Sequence, residues 1–277
     1  MSGSNISLQL LVPPEETRRV EVVDGFVKGK VSIIMPAYNE ARVITDSIRD
    51  VKKMFQPLGM DYEIIVVDDG SDDGTKARVE NLKDSHVKLV HYSENKGKGY
   101  AFRAGFREAV GEFSFLTDGD LEIHPRDLWS FALALRTADI AIGSKRHPMS
   151  RVRTPTVRKL LSACLHVLVR VCVGIKVSDS QAGFKAARSS SVYRIVPLMS
   201  VKRFAFDLEF LTIASLLGMR IVELPIQIEL NVMASPQRIF RTFIDILGIT
   251  YRLRIRHWYQ DNIRKMSSTY NPIIRWI

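Results

Sequence analysis

Cysteine is scarce: Cys164 and Cys172 are the only two in 277 residues. That rules against a disulfide framework and against a zinc site built on clustered thiolates. Both lie in an apolar stretch with Leu161, Leu165 and Leu168, which predicts a buried helix face and a reducing, cytoplasmic-side location. Long hydrophobic runs are lacking too. The best candidate, Leu160 to Ile175, is interrupted by His166 and Arg170 and falls short of the roughly 18 residues that cross a bilayer, so any membrane contact is expected to be peripheral. The chain opens Met1-Ser-Gly-Ser4 without early Lys or Arg and without an apolar core, so no signal peptide is expected. Neither Gly-x-Gly-x-x-Gly nor Gly-x-x-x-x-Gly-Lys-Ser/Thr follows the first predicted strand, which removes the usual support for dinucleotide and P-loop sites. Repeats and low-complexity tracts are absent.

What is present is an ordinary globular composition, 46% hydrophobic and 25% charged, with a formal charge of +10. Such a chain is too apolar to be wholly disordered and long enough for one large core. The positive charge is local. Residues 145–159 hold six basic side chains and no acid, and residues 236–265 carry a net charge of +5, leaving the rest of the chain close to neutral. Both segments interleave cations with apolar residues, a pattern suited to an anionic membrane surface or a phosphate-bearing substrate. A solvated basic face is the plainer alternative.

From Val31 onward, short apolar runs alternate with helical periodicity. Strands are predicted at Val31–Ala37, Tyr62–Asp68, Val87–His91, Phe113–Thr117 and Asp139–Ile142, with helices over Glu40–Phe55, Asp73–Leu82, Lys98–Val110 and Pro125–Leu135. This alternation predicts an α/β fold with a mostly parallel sheet flanked by helices, whose ligands bind beyond the carboxyl ends of the strands. Residues 1–30, with Pro13-Pro14, read as a leader; 31–235 as the α/β domain; and 236–277 as a basic amphipathic extension. Past Ser144 the alternation ceases. Helices are expected over Thr154–Ile175, Asp207–Leu217 and Gln237–Tyr259, and a strand over Arg220–Gln227.

The strongest chemical constellation is Asp118-Gly119-Asp120-Leu-Glu122 at the end of an apolar strand. Two carboxylates separated by one glycine can approach one hard divalent ion, which then completes its shell with phosphate oxygens and water. A solvated turn is the plain alternative for Asp-x-Asp; the other polar strand ends, Pro36-Ala-Tyr38-Asn-Glu40 and Asp68-Asp69-Gly-Ser71, favour a site. Asn95-Lys-Gly97-Lys98-Gly-Tyr100 opens a helix and reads either as a close approach for phosphate or as a simple turn. A nucleic-acid-binding module would also use the charge. The acidic strand ends would repel a phosphate backbone without a metal, so no nucleic-acid partner is expected.

Together these segments resemble the successive motifs of inverting family-two glycosyltransferases with the GT-A nucleotide-sugar fold. The resemblance continues through Ile142-Gly-Ser-Lys145, Asp179-Ser-Gln-Ala-Gly-Phe-Lys185 and Arg203-Phe-Ala-Phe-Asp-Leu-Glu209, which are similar to the polyprenyl-phosphate hexosyltransferase branch. Within it they are most similar to the dolichyl-phosphate β-glucosyltransferases, with the mannosyltransferases near relatives. About residues 31–230 are covered.

The resemblance implies a nucleotide-sugar donor, with UDP-glucose favoured over GDP-mannose, and a dolichyl or polyprenyl phosphate acceptor, with a soluble acceptor as an alternative. It implies Mg²⁺ or Mn²⁺ held by Asp118, Asp120 and Glu122. Pro36, Tyr38, Glu40, Asp68 and Asp69 would line the donor pocket, with Gly97, Lys98, Asp118 and Gly119 beside the nucleotide. Asp118, Asp120 and Asp179 would lie at the reacting centre, Asp179 orienting the acceptor. Lys145, Arg146, Arg158 and Arg203 are the candidates to grip the acceptor phosphate. Two departures stand out: Glu122 where the mannosyl branch has Gln, and Gly143-Ser144-Lys145-Arg146 where the family has Gly-Ser-Arg. The expected location is the cytoplasmic face of a membrane.

Overall fold

A computed structural model describes residues 30–56, 59–117, 125–153, 155–180, 183–203, 205–229 and 236–269. The leader therefore lies outside the described residues, as do Asp118, Gly119, Asp120 and Glu122. The five predicted strands form: β1 (Val31–Ala37), β2 (Tyr62–Asp69), β3 (Val87–Tyr92), β4 (Phe113–Leu116) and β5 (Ile140–Ser144). Between them run α1 (Ile44–Phe55), α2 (Thr75–Glu80), α3 (Lys98–Arg107) and α4 (Pro125–Ala134). The second half supplies β6 (Arg151–Arg153), α5 (Thr156–Cys172), β7 (Lys185–Arg188), α6 (Ser189–Ile195), α7 (Phe206–Leu216), β8 (Ile221–Pro225), β9 (Gln227–Glu229), α8 (Pro236–Thr250) and α9 (Trp258–Thr269). A π-helical turn, Tyr251–Ile255, joins the last two helices.

The main sheet has the order β3-β2-β1-β4-β7-β5-β8. All neighbours are parallel except those of β7, which runs antiparallel to both β4 and β5. This strand is unforeseen by pattern, because Lys-Ala-Ala-Arg contains no β-branched or aromatic residue. Its neighbours on both sides supply its hydrogen bonds, and Ala186 and Ala187 fit between the packed layers.

The apolar strands are buried on both faces, and their side chains alternate between two cores. Ile34, Ile65, Val67, Leu116, Ile140 and Ile142 point to one face; Ile33, Met35, Ile64, Val66, Phe115 and Ala141 to the other. Period-two alternation makes both layers at once. Ile44, Ile48, Val51 and Phe55 form the helical stripe of α1 that covers the second face. The first face is covered by α3, α6 and α7. From Phe206 to Ala214 every residue of α7 is buried, which fits a helix enclosed on all sides. The C-terminal helices join this core through Ile246, Ile249, Leu253 and Tyr259.

The expectation that both cysteines are buried is corrected. Both thiols are free, but Cys164 is exposed and Cys172 only partly buried. The inward face of α5 carries Val169, with Leu165, Leu168 and Cys172 packed against the core. Leu161, Cys164, Val167 and Val171 point outward, with Val171 74% exposed. The apolar content of this helix exceeds what the core can take.

Candidate functional site

The winding direction of the sheet reverses between β1 and β4: β2 and β3 lie to one side of β1, and β4 to the other. Such a switch point leaves a crevice outside the carboxyl ends of the strands. Pro36 and Ala37 end β1 buried, and Tyr38, 47% exposed, follows at the rim. The β1–α1 connection is laced to the β2–α2 connection. Asn39, at φ 57°, donates its N–H to Ser71 Oγ at 2.9 Å and accepts from the Asp72 N–H at 3.1 Å. Glu40 N–H reaches Thr75 Oγ1 at 2.9 Å, and Ala41 N–H reaches Asp73 Oδ2 at 2.9 Å. Burial pushes the Asp73 carboxyl upward, but hydrogen bonds from the Thr75 hydroxyl and the Ala41 and Thr75 N–H groups outweigh it and hold the group below its ordinary value. The rim beside Tyr38 is therefore built before any ligand arrives.

The two aspartates at the end of β2 do different work. Asp68 is fully buried; it accepts from the Ser71 N–H at 3.1 Å and meets His91 Nδ1 at 2.9 Å. Asp69 clamps the glycine-rich loop: Oδ1 accepts from Tyr92 Oη at 2.7 Å and the Lys96 N–H at 2.8 Å, and Oδ2 accepts from the Gly97 N–H at 2.9 Å. Burial and the Asp69 hydrogen bond push the Tyr92 hydroxyl far up, so it stays a donor. On the other side of the loop, Lys202 O accepts the N–H groups of Gly99 at 2.8 Å and Tyr100 at 3.2 Å. The N–H groups of Lys96, Gly97, Gly99 and Tyr100 are thus bonded within the protein. The glycines also allow close packing. Lys98 Nζ lies 5.9 Å from the centre of the Phe206 ring.

Gly97 shows how tight this packing is. Its φ is +93°, and a Cβ there would fall 2.5 Å from Lys202 O. Gly97→Ala is expected to cost on the order of 1–3 kcal/mol of stability, the usual size of local backbone strain. Thermal melting measures it; an unchanged melting temperature would contradict the assigned strain.

Beside β1, Thr117 leaves β4 buried, its N–H bonded to Ile34 O at 3.1 Å. Asp118, Gly119, Asp120 and Glu122 continue from here. Cross-strand from Leu116 sits Lys185 of β7, whose Nζ pairs with Asp207 Oδ1 of α7 at 2.6 Å, both side chains being under 10% exposed. Among the described residues no group of three or more His, Cys, Asp or Glu is arranged to hold a metal ion. The acidic side chains that follow Thr117 in the sequence are all carboxylates, a set that would suit a hard ion such as Mg²⁺ or Mn²⁺.

A second polar cluster forms at the end of β5, on the same sheet edge. Asp179 Oδ2 accepts from the Lys145 N–H at 3.0 Å and pairs with Lys145 Nζ at 3.2 Å. Ser178 Oγ and Ser144 Oγ are 2.9 Å apart, and Glu223 of β8 accepts both the Ser178 N–H, at 2.7 Å, and its hydroxyl. Lys145 is therefore joined to Asp179, whereas Arg146 is exposed and donates Nη2 to Ser162 O of α5 at 3.0 Å. His166 on α5 is held below its ordinary pKa by burial and by the charges of Arg146 and Arg170. Arg158 lies in the first turns of α5. Arg203 is exposed before α7, near enough to Asp245 of α8 to act on its carboxyl. Sequence reasoning did not single out Ser178, Glu223 or His166 for this cluster. Ser178 had only its place beside Asp179, Glu223 sits inside an apolar strand, and His166 stood out only as a break in an apolar helix.

Residues 32–196 match the model of the family described as glycosyl transferase family 2. The chain belongs to that family. Among family-two relatives, a dolichyl-phosphate beta-glucosyltransferase of Dictyostelium discoideum is 29% identical over 213 residues, covering 71% of this chain and 65% of the relative. A dolichyl-phosphate beta-glucosyltransferase of Trichomonas vaginalis is 32% identical over 211 residues, with 71% and 65% covered. The chain thus spans slightly under two thirds of the length of these two relatives. An undecaprenyl-phosphate mannosyltransferase of Micrococcus luteus is 31% identical over 204 residues, covering 71% of this chain and 82% of the relative. Among solved structures, glucosyl-3-phosphoglycerate synthase from Mycobacterium tuberculosis, in complex with Mn²⁺, UDP and glucosyl-3-phosphoglycerate, superposes with a TM-score of 0.62 at 19% identity, over 80% of this chain and 78% of that one. The sheet is therefore the GT-A arrangement, with β7 as its antiparallel member.

Proposed function

We propose that this family-two protein is an inverting transferase that moves a hexose from a nucleotide diphosphate sugar, UDP-glucose in first place, onto dolichyl or another polyprenyl phosphate. The observation that carries the reading is the Lys185–Asp207 ion pair. It joins the two segments that distinguish the polyprenyl-phosphate branch and sets them beside the strand end that leads into the acidic motif. Relatives named for dolichyl and undecaprenyl phosphate support the same acceptor class.

The chain's own groups suit the chemistry. An acceptor monophosphate is ionised near neutral pH and is itself nucleophilic, so no strong side-chain base is required. Asp179, fixed to Lys145 through backbone and side chain, would orient the acceptor while Lys145 and Arg146 offer cations to its phosphate. The laced loops beside Tyr38 and Asp68 would hold the base and ribose. When bound, a divalent cation held by Asp118, Asp120 and Glu122 would neutralise the charge gathering on the diphosphate leaving group. The deciding experiment incubates purified protein with dolichyl phosphate in vesicles, Mg²⁺ or Mn²⁺, and a panel of radiolabelled nucleotide sugars. Labelled lipid from UDP-glucose that disappears with chelator is expected; label only from GDP-mannose selects the mannosyl reading, and no labelled lipid from any donor overturns the proposal.

The acceptor's location fits an apolar face. Among the described residues no helix is long and apolar enough to cross a membrane. Helices α5 and α8 lie against each other and expose Val167, Val171, Phe240, Ile244 and Leu247, with Phe240 65% exposed. Basic residues flank both segments, which suits shallow insertion among anionic headgroups on the cytoplasmic face. The double variant Phe240→Ser, Ile244→Ser is expected to lower binding to anionic liposomes about tenfold, from the apolar area withdrawn. Equal sedimentation of variant and parent would remove α8 from the membrane contact.

A further inference from the structure

The C-terminal helices reach the donor loop through one buried carboxylate. Glu209, in the first turn of α7, is fully buried. Its Oε1 accepts from Ser200 Oγ at 2.7 Å and from Tyr259 Oη of α9 at 2.6 Å. Its Oε2 accepts the backbone N–H groups of Ser200 at 2.9 Å and Val201 at 2.7 Å. Tyr259 is itself held, its oxygen accepting Arg252 Nε at 3.0 Å, with Arg252 Nη2 3.6 Å from Glu209. Burial and the Glu209 charge keep the Tyr259 hydroxyl protonated far beyond neutral pH, so it remains a donor.

The backbone shaped by Glu209 ends in the Lys202 carbonyl, which receives the N–H groups of Gly99 and Tyr100 at the start of α3. That contact has little slack: a Cβ on Gly99 would lie 2.6 Å from Phe206 Cβ and 2.8 Å from Val201 O. Asp69 holds the same loop from the β2 side. The loop from 94 to 100 is therefore gripped between the end of β2 and a strut whose far end is Tyr259.

We infer that Glu209 and Tyr259 are positioning residues for the donor: by fixing Ser200, Val201 and the Lys202 carbonyl, they set the glycine-rich loop against which the nucleoside diphosphate binds. The inference rests on reading the crevice as a nucleotide-sugar site. It extends that site to a residue of the last helix, well past the segment matched by the family. Without the Tyr259 hydroxyl, Glu209 Oε1 keeps Ser200 Oγ but loses its second donor, and the strut loses its restraint on the α9 side, so the loop is held less firmly opposite Asp69.

The test uses the full chain with two mild variants, Tyr259→Phe and Ser200→Ala, each deleting one hydroxyl from the strut while leaving the carboxylate in place. Ser191→Ala, which removes a hydroxyl bonded to Asp139 away from this loop, is the control for a purely structural loss. Binding of UDP and of GDP with Mn²⁺ is measured by titration calorimetry, alongside KM for donor and acceptor and kcat. Both strut variants are expected to weaken nucleotide binding and raise donor KM about fivefold or more, the usual lower size of coupling between linked sites, with acceptor KM and kcat unchanged. Unaltered nucleotide affinity in either strut variant, or a matching loss in Ser191→Ala, overturns the inference alone. Wild-type protein that binds neither nucleotide overturns the reading of the crevice and the inference with it.

Discussion

Alanine at Asp118 or at Asp120 is expected to lower hexose transfer by about a hundredfold or more, the usual loss when a group stabilising transition-state charge is removed. The strand preceding them is buried and anchored: Thr117 N–H is bonded to Ile34 O, and Leu116 lies across from Lys185. Stability should therefore change little. A carboxylate in this motif can assist a diphosphate only through a cation, since by itself it repels the donor. The loss should thus appear in turnover and in metal-dependent UDP affinity together. Transfer of labelled sugar, calorimetric titration of UDP with and without Mn²⁺, and thermal melting separate these quantities. A purified variant that keeps about half of wild-type turnover would remove that residue from the proposed metal site, because an effect so small is far below what loss of such a group produces.

Asp207→Ala is expected to be strongly destabilising. It removes the carboxylate 2.6 Å from the Lys185 ammonium, a group only 4% exposed. Breaking a buried ion pair at one end costs about 3–5 kcal/mol, because a charge remains where water cannot reach it. Asp207 also sits in the first turn of α7, where a negative charge meets the positive end of the helix dipole. The double variant Lys185→Met, Asp207→Leu should recover much of the lost stability, since replacing both charges by apolar groups is often near neutral, yet it should remain poorly active. Urea unfolding checks the first part and the transfer assay the second. Near-equal stability of Asp207→Ala and the parent would show that the pair is solvated in solution.

The alternating apolar runs of β1, β2 and β4 were legible because each strand is buried on both faces, and the helical stripe of α1 was legible because its apolar residues recur at turn spacing. The candidate site was legible in outline for a related reason: polar residues that interrupt apolar strands at their carboxyl ends stand out, as Asp68, Asp69 and the segment after Thr117 do. The division of labour between Asp68 and Asp69 was not. Neighbours in sequence point to opposite sides of a strand end, and only the folded loops reveal that Asp69 meets Tyr92, Lys96 and Gly97 whereas Asp68 meets His91 and Ser71.

By itself the sequence determined the α/β class, the order of the first nine elements and the sheet edge where the polar strand ends gather, since these depend on local periodicity and on where it stops. The tertiary structure alone decided that Lys-Ala-Ala-Arg becomes an antiparallel central strand, that Cys164 faces outward, that Lys185 finds Asp207, and that Tyr259 reaches Glu209. Each of these joins residues distant in the chain, through hydrogen bonds and burial supplied by neighbours that the local pattern does not encode.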